Sequence, residues 1–129
     1  LYTYCVGSHK EFESDPTTGK GPGVAGAILK VDTQDPEKTE SYAFLPHAFV
    51  GEPTFAPKVR ADVTNKSSED KGYIVAYVLN GIDLTTDMVI FDVEGQGKLE
   101  AGPIARLPLP TFIPHALHGT FVDGLTFDF

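Results

Sequence analysis

Apolar residues along this chain fall in short runs, rich in β-branched and aromatic side chains and separated by Gly, Pro and charge. Runs of that kind predict strands bounded by turns. Five stand out: Tyr2–Val6, Ala25–Val31, Glu40–Leu45, Tyr73–Leu79 and Asp87–Val93. No segment sustains an apolar stripe at helical spacing. The 13 Gly and 10 Pro are spread along the chain and leave little room for an uninterrupted helix. The pattern therefore predicts an all-β chain. Antiparallel strands at this spacing suit a sandwich, a barrel or propeller blades alike, and periodicity does not choose among them.

The segments between the runs read as loops. Ser14–Gly23 carries Pro16, Gly19, Gly21, Pro22 and Gly23 and is expected to be a surface excursion. A Gly-x-Gly-x-Gly spacing can cradle phosphate only between a strand and a helix, and no helix follows, so a turn is expected. Lys58–Lys71 is polar and is expected to project between strands. Asn65-Lys66-Ser67 has the form of a glycosylation acceptor; with no signal-peptide pattern at the start of the sequence, it reads as chance. Asn80-Gly81 suggests a hairpin whose connection is longer than two residues, because the next run starts several positions later.

Composition narrows the function. At 129 residues the chain is at most one ordinary domain or part of a larger one. With 41% hydrophobic and 22% charged residues it reads as soluble and globular. A net charge of -8 argues against a nucleic-acid partner and supplies no polybasic patch for an anionic membrane. Apolar runs are interrupted well before the roughly 20 residues of a membrane span. A single cysteine, Cys5, excludes an internal disulfide framework and fits a reducing compartment. Leu1 is not an initiator methionine and Tyr2–Val6 already reads as a strand, so the expectation is a piece of a longer protein.

Four histidines and one carboxylate carry the candidate chemistry. His9 lies beside Lys10 and Glu11 and reads as solvated. His47 follows Pro46 in a loop. His115 and His118 form a His-x-x-His pair, but in an extended segment positions three apart face opposite sides. At most one of the pair would then reach a given ion. A catalytic metal needs about three protein ligands, so the rest would come from outside this segment. Glu52, in Gly51-Glu52-Pro53-Thr54-Phe55, is either a solvated rim carboxylate or the acceptor for the spare N–H of a metal-bound imidazole.

Several stretches resemble one family. Phe49-Val50-Gly51-Glu52-Pro53-Thr54-Phe55-Ala56-Pro57 is similar to the Gly-Glu-Pro segment of the carotenoid cleavage oxygenases. Glu69-Asp70-Lys71-Gly72-Tyr73 resembles the lead-in to that family's next strand. Met88–Asp92 followed by Leu99–Ala105 resembles its hairpin and connection. Pro114-His115-Ala116-Leu117-His118-Gly119-Thr120-Phe121 resembles the His-Gly motif near its C-terminus. The four matches keep the family's order over about Phe49 to Val122, whereas residues 1–48 match only as generic blade strands.

The resemblance implies the C-terminal blades of a seven-bladed β-propeller, with residues 1–129 forming the last part of a single domain. It implies one Fe(II) per full-length chain, held by four histidines, of which His118 is the last and the other three lie upstream of Leu1. Glu52 matches a carboxylate that supports one ligating imidazole. His115 stands with Ala116 where many members have an aromatic residue and Gly, and it matches no ligand position. The implied reaction cleaves a carbon–carbon double bond of a lipophilic conjugated substrate with O2, giving two carbonyl products. No direct catalytic residue falls in this segment, its substrate-binding residues are unknown, and alone it is expected to be inactive and marginally stable. Peripheral membrane contact would come from regions outside the chain, and the expected setting is intracellular, in cytoplasm or plastid. Two other readings stay open: a metal-free propeller or sandwich acting as a binding module, and a self-contained small β-barrel metalloenzyme.

Overall fold

The structure is a computed structural model that describes residues 1–8, 25–45, 47–58, 70–115, 118–122 and 124–125. Among these, β1 (Tyr2–Ser8), β2 (Ala25–Asp32) and β3 (Glu40–Ala43) form one antiparallel sheet in the order β1-β2-β3. A second sheet contains β4 (Ala48–Val50), β5 (Thr54–Pro57), β6 (Gly72–Asn80), β7 (Thr85–Asp92) and β8 (Ala105–Pro108). Strands β4 and β5 share one edge of β6, and β7 and β8 follow on its other side.

The five runs predicted from the pattern are β1, β2, β3, β6 and β7, each with its ends within two residues of expectation. The pattern did not predict β4, β5 and β8. Each has four residues or fewer, and Pro53, Pro57 and Pro108 punctuate them, so neither length nor alternation accumulates. Asn80 pairs with Thr85, leaving the four-residue connection Gly81–Leu84, longer than two as the spacing required. The Asn80 side chain organises it by accepting the N–H groups of Ile82 at 2.9 Å and Asp83 at 3.3 Å. The ends of the polar stretch meet where Lys58 N–H donates to the Lys71 carbonyl at 3.0 Å, as a loop between strands requires. His9, the glycine-rich segment and Asn65–Ser67 lie outside the described residues.

The core forms between the sheets because β6 and β7 present every second side chain to it. Ile74, Ala76 and Val78 of β6 join Val89 and Phe91 of β7, with Val93 beyond it, against Ile28, Phe44 and Val50. Tyr42, Phe44 and Phe91 meet edge to face with centroids 5.1–6.2 Å apart. Tyr4 stacks on Phe55 at 5.9 Å and ties β1 to β5; burial there raises its phenol above the usual range.

One lysine lies inside this junction. Lys30 is 1% exposed, and its ammonium donates to the carbonyls of Val93 at 2.8 Å and Gly95 at 2.9 Å. It stands 3.5 Å from Glu40 and 3.8 Å from Asp70, above the Tyr2 ring. Glu40 in turn accepts the Leu99 N–H at 3.0 Å. The charges are buried in company, as burial demands.

The other face of the second sheet carries the alternate residues of β6, among them Val75, Tyr77 and Leu79. The C-terminal segment is fixed across it. Leu109 N–H donates to the Thr86 carbonyl at 2.9 Å. The Thr86 hydroxyl donates to the Ile113 carbonyl at 2.8 Å and accepts the Ile113 N–H at 3.0 Å. That brings the histidines near the Gly51–Pro53 segment.

Candidate metal-ligand site

The site begins with a break in strand pairing. Val50 pairs with Val78 and Thr54 with Val75, so four steps on one strand face three on β6. One residue is extra, which makes a β-bulge. Gly51 N–H still donates to the Tyr77 carbonyl at 2.8 Å, so the irregularity falls on Glu52 and Pro53. Pro53 has no N–H to give the ladder and suits this place. Bulges re-aim side chains, and here the carboxylate of Glu52 is turned to the C-terminal segment.

Glu52 meets His118 there. Its Oε2 is 3.0 Å from His118 Nδ1 and also accepts the Gly119 N–H at 3.3 Å. A carboxylate can only accept, so Nδ1 carries a proton, and in the neutral ring the lone pair is then on Nε2. That is the tautomer a metal-binding imidazole adopts when its second nitrogen is held by a carboxylate. The pair borders an open, mainly apolar cleft of about 260 Å³, lined by Thr54, Val75, Tyr77, Thr120 and Phe121 among others. Within this chain the His118 side chain is 87% exposed and that of Glu52 45%.

His115 takes a different partner. Its Nε2 lies 3.2 Å from the Val50 carbonyl, which can only accept, so this ring nitrogen is the donor. The two imidazoles therefore meet different partners, two residues apart on one segment. His47 sits in the turn before β4 with φ 71°, and its carbonyl accepts the Gly81 N–H at 2.9 Å; its visible part is in the backbone. Among the described residues no three His, Cys, Asp or Glu side chains gather as a metal site. One imidazole with a fixed tautomer fits a single ligand position, so any further ligands would come from elsewhere. Reading side chains missed two backbone groups, the Gly119 N–H and the Val50 carbonyl, which carry no residue-type signature.

The chain is thus all-β, two antiparallel sheets of which the second carries the bulge and the carboxylate–imidazole pair. A family model described as retinal pigment epithelial membrane protein matches residues 1–123, and the chain belongs to that family, the carotenoid cleavage oxygenases. It is 32% identical over 122 residues to the apocarotenoid-15,15'-oxygenase of Synechocystis, covering 95% of this chain and 21% of that protein. It is 30% identical over 118 residues to the chloroplastic 9-cis-epoxycarotenoid dioxygenase NCED6 of Arabidopsis thaliana, covering 92% of this chain and 18% of the relative. Over 87 residues it is 37% identical to lignostilbene-alpha,beta-dioxygenase isozyme III of Sphingomonas paucimobilis, covering 67% of this chain and 16% of the relative.

Among solved structures, a point mutant of the Synechocystis oxygenase superposes with a TM-score of 0.73 at 29% identity, over 94% of this chain and 22% of that one. The cobalt-substituted Synechocystis enzyme gives 0.69 at 29% identity, over 91% and 21%. Those structures are β-propellers, and the two sheets here match part of one. The chain spans about a fifth of the length of the Synechocystis relative.

Proposed function

We propose that the complete protein is a non-haem Fe(II) dioxygenase and that this chain is the C-terminal part of its single propeller domain. Its reaction is oxidative cleavage of a carbon–carbon double bond in a carotenoid, apocarotenoid or related conjugated substrate, giving two carbonyl products. The observation that carries the reading is the 3.0 Å hydrogen bond between His118 Nδ1 and Glu52, in a chain whose relatives include carotenoid and stilbene dioxygenases.

In this reading His118 is one of four histidine ligands, and Glu52 holds its proton on Nδ1. Iron so bound supplies open positions for O2 and the electrons that zinc cannot give. The Gly119 N–H steadies the carboxylate, so the negative charge next to the imidazole stays in place. Val75, Tyr77 and Phe121 give the cleft the apolar wall that a lipophilic substrate needs. The partners in this reading are that substrate and O2.

A metal-free binding module has one observation in its favour, the exposure of His118 within this chain. The same exposure belongs to a ligand that faces a propeller axis whose other blades are not part of the chain. The deciding test is iron content of the complete protein, purified without oxygen, beside its His118→Ala variant. The expected result is one iron per chain, lost in the variant. Iron retained by the variant would overturn the ligand assignment, and no iron in either protein would leave the binding module as the better reading.

A further inference from the structure

The C-terminal segment touches the bulged strand at two places in step. His115 meets the Val50 carbonyl at 3.2 Å, and three residues later His118 meets Glu52, two residues beyond Val50, at 3.0 Å. Val50 is fully buried and paired with Val78, so its carbonyl is a rigid point of the sheet. Glu52 sits in the bulge and is less fixed by the ladder. Upstream, Ile113 is clamped on the buried Thr86 by two hydrogen bonds, so the segment reaches His115 already in register.

We propose that His115 is a positioning residue for His118. Its ring N–H, donated to the Val50 carbonyl, pins the chain three positions before His118 to the sheet and so limits where the His118 imidazole stands over Glu52. The inference rests on the reading of His118 as a metal ligand. An exposed imidazole held only by its carboxylate can swing about that contact, and a ligand has to be held to within about 0.5 Å to keep a metal geometry. A second anchor three residues away removes that freedom. In this proposal His115 commits its Nε2 to the Val50 carbonyl and serves through His118.

The test uses the complete protein loaded with Co(II), whose visible absorption reports ligand geometry, together with affinity measured by chelator competition. Thermal unfolding of the metal-free forms provides the control. His115→Ala is expected to weaken Co(II) binding about 10–100-fold and to shift the visible bands, with metal-free unfolding unchanged. His115→Gln, whose amide N–H can reach the same carbonyl, is expected to restore most of the affinity and the bands. Wild-type affinity and spectrum in His115→Ala overturns the proposal. A loss that Gln does not rescue, or one matched by a fall in metal-free unfolding temperature, assigns His115 a general structural role and overturns it too. His118→Ala separates the layers: if it binds Co(II) like the wild type, the ligand reading fails and takes this inference with it. If it loses Co(II) while His115→Ala does not, only the positioning role fails.

Discussion

Glu52 Oε2 takes hydrogen bonds from both His118 Nδ1 and the Gly119 N–H, so one oxygen joins the imidazole to the backbone just past it. Replacing the carboxylate by an amide keeps the shape but removes the charge that makes the imidazole a better base. Glu52→Gln in the complete protein is therefore expected to weaken metal binding by about 10–100-fold, read as iron retained after dialysis against a chelator. Unchanged retention would mean that Glu52 is only a rim carboxylate. As individual candidates, Glu52 and His118 were legible, because each stands beside Pro or Gly in a recognisable motif. Their pairing was not legible. It joins residues 66 positions apart and depends on a one-residue bulge that no periodicity announces. The contact of His115 with Val50 was equally hidden, since a backbone carbonyl looks the same at every position.

Strands long enough to show two or three alternations were legible, as β6 and β7 were; the short, proline-marked β4, β5 and β8 were not. The miss mattered, because β4, the bulge and β5 together carry the candidate site. What holds the far end of β5 is electrostatic. Lys58, just past it, donates to both carboxylate oxygens of Asp92 at the end of β7 and to Glu94, all at 2.9 Å. The Lys58 hydrogen bond, with help from the Glu94 N–H, holds the Asp92 carboxyl below its usual range, and the same partners raise the Lys58 ammonium. A depressed carboxyl contributes stability above its unfolded value of about 3.9 and loses it as pH falls through the folded value. The group is partly exposed, so the contribution is small and screened by salt. Asp92→Asn is expected to lower the urea midpoint at pH 6, with the difference from wild type shrinking as pH falls through the depressed folded value of the carboxyl. A pH-independent difference would trace the effect to packing instead.

Across the whole molecule the two sheets share one core, and the Lys30 network crosses between them beside it. A lysine in a run that otherwise reads as a buried strand is the place where pattern and physics part: the run placed β2 correctly, but not the partners that let an ammonium sit 1% exposed. Those partners come from both sheets and their loops, with Glu40 on β3 and Asp70, Val93 and Gly95 around β6 and β7. Glu40 also holds the Leu99 N–H, so losing Lys30 leaves a buried carboxylate without its cation and loosens the segment it anchors. Breaking one partner of such a pair costs about 3–5 kcal/mol, whereas replacing both by apolar groups can be nearly neutral. Lys30→Met and Glu40→Leu are thus each expected to lower hydrogen-exchange protection in the complete protein by at least about a hundredfold, at roughly 1.4 kcal/mol per tenfold. The readout is the set of amides buried at the junction, Ile28, Val93 and Leu99 among them. The Lys30→Met/Glu40→Leu pair is expected to lose less than the two single changes together, because it leaves only the part-exposed Asp70 without that cation and no large void. Fully additive losses would mean that Lys30 and Glu40 act separately, and the junction would then rest on the apolar contacts of Ile28, Phe44 and Phe91 alone.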